Sequence, residues 1–181
     1  MHVMAPKNKW ELSDMMKFAV DFGAPIAIRY PRGEAYDGLK DHRAAIEYGK
    51  SEMIYEGKRG CKVAMLAVGS MVKTAEEVHI MLGEKEIDST LVNARFVKPI
   101  DTDMIDAICK KHKILVTMEE NLASGGYGEK VLEYVTEKKY KVDIIRVAIP
   151  DEYVEHGNVD ILKKEIGIDA ESVFNKIVEK V

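Results

Sequence analysis

From Cys61 to the end of the chain, unbroken apolar runs alternate with stretches in which apolar residues recur every third or fourth position. The runs predict strands at Lys62 to Val68, Asp88 to Val97, Ile114 to Met118 and Val142 to Ile149. The periodic stretches predict helices at Val72 to Gly83, Asp101 to His112 and Tyr127 to Glu137. Two closing helices follow, about Val159 to Ile166 and Ala170 to Glu179, parted by Gly167. Val63-Ala64-Met65-Leu66-Ala67-Val68 has no polar face, so its strand must be covered on both sides. The pattern predicts an α/β fold: three layers, with a mostly parallel sheet between helices. Asp101 and Asp169 stand where helix N-caps are needed, and Lys110, Lys111 and His112 suit the negative end of a helix dipole.

A second, shorter block precedes this one and reads strand, helix, strand: Val3 to Ala5, Lys9 to Phe22, Pro25 to Tyr30. Asn8 is placed to cap the helix, with Glu11 three residues on as its reciprocal partner. Leu12, Met15, Met16 and Ala19 form its apolar face, and Gly23 sits at the left-handed C-terminal cap position. So small a unit cannot bury both faces of its strands, and it is expected to be the tail of a larger domain. The stretch between the blocks is rich in glycine and charge, with short β-like runs such as Ser51 to Tyr55, and reads as a crossing linker. The expected division is therefore 1–33, the end of one domain; 34–60, a linker; and 61–181, a second domain.

Composition narrows the classes. The chain has 181 residues, 46% of them hydrophobic and 32% charged, with a formal net charge of −4. That balance excludes disorder and gives no reason to expect nucleic acid or an anionic membrane as partner. No apolar run is long enough to span a bilayer and no signal sequence opens the chain, so a cytoplasmic protein is expected. Cys61 and Cys109, far apart and each in an apolar setting, read as reduced core residues rather than a disulfide or zinc site.

The candidate chemistry is concentrated in a few segments. In Ile26-Ala27-Ile28-Arg29-Tyr30-Pro31-Arg32-Gly33, a strand runs into a proline that cannot continue the ladder. Arg32 is thereby placed at the carboxyl end of the strand, where ligands bind in open α/β sheets. A planar guanidinium there suits a phosphate or carboxylate, and it equally suits a surface pairing with an acid. Glu119-Glu120-Asn121-Leu122-Ala123-Ser124-Gly125-Gly126-Tyr127-Gly128 follows a strand and opens a helix, a place where glycines can cradle phosphate. It lacks the third glycine of a dinucleotide fingerprint and the lysine of a P-loop, so a structural turn is the plainer reading. Glu119 and Glu120 point opposite ways and read as a solvated pair. His2, His42, His79 and His112 stand at termini, in the linker or in polar helix settings. His156, in a loop after a strand, is the histidine best placed for a site or an interface. No nucleophile motif or metal-ligand spacing is present.

Several segments together resemble one family along nearly the whole chain. Val3-Met4-Ala5-Pro6, Ala27 to Gly33, Asn93-Ala94-Arg95-Phe96-Val97-Lys98-Pro99-Ile100-Asp101, Glu119-Glu120-Asn121 with Gly125-Gly126-x-Gly128, and Ile149-Pro150-Asp151 with Glu155-His156-Gly157 occur in this order in 1-deoxy-D-xylulose-5-phosphate synthases. Arg95 to Pro99 and the glutamate and glycine pieces are shared more loosely with transketolases and with 2-oxo-acid dehydrogenase beta subunits. Arg-Tyr-Pro-Arg-Gly and Glu-His-Gly favour the synthase. Lys7-Asn8 departs from a frequent Ser-Asp, a change confined to the helix cap.

The resemblance implies that 1–33 ends a pyrimidine-binding domain and 61–181 is a transketolase C-terminal domain. It implies a transferase that uses thiamin diphosphate and Mg²⁺ to condense pyruvate with D-glyceraldehyde 3-phosphate, with loss of carbon dioxide, for isoprenoid, thiamin and pyridoxal synthesis. Arg32 matches the family arginine that holds the acceptor's phosphate. The family's cofactor-binding and metal-binding segments precede the region that Met1 begins, so the chain alone is expected to be inactive and to bind no cofactor or metal. The complete enzyme is expected to be a homodimer. Two other readings stay open: a stand-alone interaction or dimerisation module of the same fold, and the tail of a 2-oxo-acid dehydrogenase beta subunit.

Overall fold

A computed structural model describes residues 1–58 and 60–181; Arg59, in the expected linker, lies outside the described residues. In chain order the elements are β1 (His2–Met4), α1 (Lys9–Asp21), β2 (Ile26–Ile28), β3 (Glu52–Tyr55), β4 (Val63–Ala67), α2 (Met71–Glu84) and β5 (Ser89–Asn93). There follow β6 (Phe96–Lys98), α3 (Thr102–Lys111), β7 (Ile114–Leu122), α4 (Tyr127–Glu137), β8 (Asp143–Ile149), α5 (Val159–Glu165) and α6 (Ala170–Val178).

The larger sheet has the order β3-β5-β4-β7-β8, parallel throughout except for β3, which runs antiparallel to β5 at the edge. All five residues of β4 are buried, as its unbroken apolar run requires. Val63, Met65 and Ala67 face one core with α2 and α6, through Val72, Val78, Leu82, Val173 and Ile177. Ala64 and Leu66 face the other, with Ile105, Ile108, Tyr127 and Val131 of α3 and α4. The three-layer α/β architecture expected from the pattern is therefore present.

Two features depart from the pattern. The apolar run Asp88 to Val97 is not one strand: β5 ends at Asn93, and Arg95 takes a left-handed φ of 56°. The turn carries the chain out of the large sheet, so that β6 pairs antiparallel with β1 and completes a small sheet of order β2-β1-β6. Phe96 then packs with Met4 and Met15 in a core of its own. The first block is thus joined to the rest of the chain through β6, and Ala5 enters the core around Leu66. The second departure lies in the expected linker, whose β-like run forms edge strand β3 with Glu52 and Ile54 buried.

On the far side the small sheet stays open. Among the described residues β2 pairs only with β1, and Met16 and Val20 on α1 are exposed at 53% and 82%. Gly23 caps α1 at φ 70°, as its position predicts.

Candidate functional site

The carboxyl ends of β2 and β4, with the far end of β7, converge on a crevice between the two sheets. This hollow of about 1070 Å³ is lined by Tyr30, Arg32, Ser70, Lys73, Glu120 and Lys163, among others. Arg32 is exposed within it and makes no hydrogen bond or ion pair among the described residues. The strand that delivers it ends where Arg29 N–H donates to the Met4 carbonyl at 2.9 Å. Gly33, at φ 123°, adopts a backbone that a residue with a side chain would take only under strain.

The two glutamates after β7 divide as their alternation requires, but they are not a solvated pair. Glu119 is only 3% exposed, and its carboxylate accepts the Tyr127 N–H at 2.8 Å and the Gly128 N–H at 2.7 Å. The positive end of α4 is therefore filled by the chain's own anion, in the position a phosphate would take. Gly126 makes room for it, since a Cβ there would stand 2.6 Å from a Glu119 oxygen, whereas Gly128 makes room for Thr117, whose Oγ1 a Cβ would meet at 2.5 Å. The structural reading of Gly125 to Gly128 holds, and the reason is Glu119. Glu120 turns to the crevice, where it accepts from Ser70 Oγ at 2.7 Å and pairs with Lys163 at 3.0 Å. These two carboxylates occupy the places at the β7 end that would otherwise attract an anion.

Beneath the crevice lies a charged cluster that the sequence reading missed. Glu11 does accept a backbone N–H, but that of Lys7, at 2.7 Å, rather than its expected partner Asn8. Asn8 Oδ1 accepts the Glu11 N–H at 2.9 Å, so half of the expected cap is present. The Glu11 carboxylate is buried, with Arg95 Nε at 2.8 Å, Lys7 Nζ at 3.1 Å and Asn93 Nδ2 at 2.8 Å. Glu52 completes the group, 2.6 Å from Lys7 Nζ and 3.2 Å from Arg95 Nη2. Burial pushes the Glu52 carboxyl up, but the Lys7 hydrogen bond and the Arg95 charge outweigh it and hold the group below the usual carboxylate range. Two cations and two anions, fully bonded, tie α1 to β3 and to the turn after β5. All are engaged with one another, so the cluster reads as a joint.

The remaining candidates sort plainly. Cys61 and Cys109 are buried free thiols, and burial raises both, Cys109 to about 11. His112 is buried against Thr90 Oγ1 at 2.8 Å and the Ile108 carbonyl at 3.0 Å, so the polar helix setting expected for it is instead a satisfied interior one. His156 is exposed on the loop before α5 and does not line the crevice. Among the described residues no group of His, Cys, Asp and Glu is arranged to hold a metal ion, and no helix is long and apolar enough to cross a membrane.

Comparison with known proteins fits this architecture. The profile of the family described as "Transketolase, C-terminal domain" matches residues 51–173, which begins at β3. The chain belongs to the transketolase C-terminal domain family. Among individual proteins it is similar to the 1-deoxy-D-xylulose-5-phosphate synthase of Lachnoclostridium phytofermentans, 45% identical over 97% of this chain and 28% of that protein. To the synthase of the same name from Clostridium perfringens strain 13 it is 41% identical over 99% of the chain and 29% of the relative. The chain thus spans under a third of the length of these curated relatives, and the resemblance read from its motifs extends along nearly all of it. Among solved structures, one titled "Split gene transketolase, inactive beta4 tetramer" superposes with a TM-score of 0.89 at 24% identity, over 99% of this chain and 57% of that one. A transketolase from Campylobacter jejuni superposes at 0.69 with 13% identity, over 98% of this chain and 26% of its own. Both share the fold.

Proposed function

We propose that this chain is the C-terminal portion of a 1-deoxy-D-xylulose-5-phosphate synthase, and that Arg32 grips the phosphate of D-glyceraldehyde 3-phosphate when pyruvate is condensed with it. The observation that carries the reading is the placing of Arg32. Among the described residues it is a guanidinium with no hydrogen bond or ion pair, on the segment that follows β2, facing a crevice in which Glu120 pairs with Lys163 and the start of α4 is closed by Glu119. A guanidinium there offers two parallel donors to a phosphate.

On this reading the places for thiamin diphosphate and Mg²⁺ are not supplied by this chain. The glycine turn at the start of α4 is closed by Glu119, and the described residues offer no metal-ligand group. In the proposed enzyme the thiamin ylid chemistry comes from segments outside 1–181. The open edge of β2 and the exposed α1 face with Met16 and Val20 suit continuation of the small sheet by a preceding pyrimidine-binding domain. On this reading 1–33 is the end of that domain, the complete enzyme is a homodimer in the cytoplasm, and the chain alone is inactive.

The test is Arg32→Ala in the complete enzyme, with steady-state kinetics in both substrates. The KM for glyceraldehyde phosphate is expected to rise about tenfold or more, with that for pyruvate little changed. An unaltered affinity for the phosphorylated aldehyde would remove Arg32 from the site. Turnover by residues 1–181 alone, supplied with thiamin diphosphate and Mg²⁺, would overturn the inactivity of the fragment.

A further inference from the structure

Arg32 sits in a strap fastened at both ends. Upstream the last fixed point is Arg29, bonded to Met4. Downstream it is Tyr36, and among the described residues none of 30–35 makes a hydrogen bond or ion pair. Tyr36 is pinned twice: its carbonyl accepts the Lys9 N–H at 3.3 Å, and its phenol donates to Glu76 Oε2 on α2. The other Glu76 oxygen accepts from Tyr55 of β3 at 3.1 Å, and Tyr55 is itself stacked on His79 with centroids 4.6 Å apart. Glu76 is therefore held between two phenols, one from the rigid edge of the large sheet and one from the end of the strap.

Gly38 is shaped to this arrangement. A Cβ there would stand 2.0 Å from the Tyr36 hydroxyl oxygen and 2.2 Å from its Cζ, so the ring can lie where it does only because the position carries no side chain. The next carbonyls, Gly38 and Leu39, accept from Asn8 Nδ2 at 3.0 and 3.4 Å.

We propose that the hydrogen bond from Tyr36 to Glu76 is a latch that positions Arg32, through which the C-terminal domain sets the affinity of the crevice for a phosphorylated substrate. This rests on the reading of Arg32 given above. A guanidinium on six unbonded residues samples many positions, and fixing the end of the strap on α2 narrows them before substrate arrives. Tyr36 and Glu76 are positioning residues: they act on the substrate through Arg32.

The experiment compares Tyr36→Phe, Gly38→Ala and Arg32→Ala in the complete enzyme, with D-glyceraldehyde 3-phosphate and with unphosphorylated D-glyceraldehyde as acceptors. Tyr36→Phe keeps the ring and removes only the donor; Gly38→Ala keeps the donor and displaces the ring. Each is expected to raise the KM for the phosphorylated acceptor about fivefold to tenfold while kcat stays within about twofold. Neither is expected to change kinetics with the unphosphorylated acceptor. Added to Arg32→Ala, Tyr36→Phe is expected to have no further effect, since the latch acts only through that side chain. Equal losses on both acceptors, or a Tyr36→Phe effect that persists without Arg32, would show a merely structural role and overturn the latch. If Arg32→Ala raises the KM while Tyr36→Phe and Gly38→Ala do not, the latch fails and the substrate reading stands. If Arg32→Ala is itself silent, both fail.

Discussion

Arg95 Nε lies 2.8 Å from Glu11 Oε1, a buried ion pair between residues 84 positions apart, and it joins the helix of the small sheet to the turn that leaves the large one. Arg95 also donates to the Ala44 and Ala45 carbonyls, at 2.8 and 3.0 Å, so one guanidinium holds three segments together. Removing one member leaves the others charged and without water. Glu11→Gln is expected to destabilise the chain by about 3–5 kcal/mol, read as a lowered midpoint of urea unfolding. Combining it with Arg95→Met is expected to cost less than the sum of the two, with a coupling of about 1–3 kcal/mol. Additive losses would show that the pair does not act as a unit.

The same cluster gives stability a pH dependence of known sign. Glu52 titrates below its ordinary value because the pull of Lys7 and Arg95 exceeds the penalty of burial. A carboxyl depressed in the folded state contributes stability that is fully present above its unfolded pKa, about 4.3. That stability is lost as pH falls through the folded value. Denaturant melts between pH 6 and 3 are expected to show a drop below about pH 4.3 that is shallower in Glu52→Gln. An equally steep drop in the variant would assign the acid sensitivity to other carboxyls.

How much of this was legible follows from where the causes lie. Short-range signals read well: the two-faced apolar run of β4, the Asn8 cap and the Gly23 terminus each depend on a few neighbouring residues. Glu11 was misread because its local spacing fits a capping box, while two of its side-chain partners, Arg95 and Asn93, are remote in sequence. The break between β5 and β6 was hidden because Arg95 takes the left-handed φ although neither glycine nor asparagine marks it. Glu119 looked solvated because nothing adjacent reveals that a helix start folds back over it. The recurring spacing of its glutamates and glycines carried the trace of that contact, and the resemblance used it without explaining it.

The two thiols are expected to be slow. Burial lifts Cys109 to about 11 and raises Cys61 as well, so the thiolate is scarce at neutral pH and access is closed. Reaction with a thiol-specific disulfide reagent at pH 8 should release two equivalents only in denaturant, with the native rate lower by about a hundredfold or more. Fast labelling of either residue in the native chain would contradict its burial.

The start of α4 supplies the sharpest comparison, because two glycines two positions apart face different neighbours. A Cβ on Gly126 would meet the Leu122 carbonyl oxygen at 2.4 Å and both Glu119 oxygens at 2.6 and 2.7 Å, backbone and anchored carboxylate that cannot withdraw. On Gly128 the one clash would be with Thr117 Oγ1 at 2.5 Å, the next atoms, Glu119 Oε1 and Thr117 Cβ, standing at an ordinary 3.4 Å. Gly128→Ala is expected to cost about 1–3 kcal/mol, and Gly126→Ala more. In a Thr117→Ala background the loss from Gly128→Ala should shrink, while that from Gly126→Ala should not. Glu119→Gln leaves the two N–H donors with one acceptor and is expected to cost about 2 kcal/mol. Should Glu119→Gln be neutral, and an added phosphate ion stabilise the variant but not the parent, the helix start would be an anion site that Glu119 merely occupies.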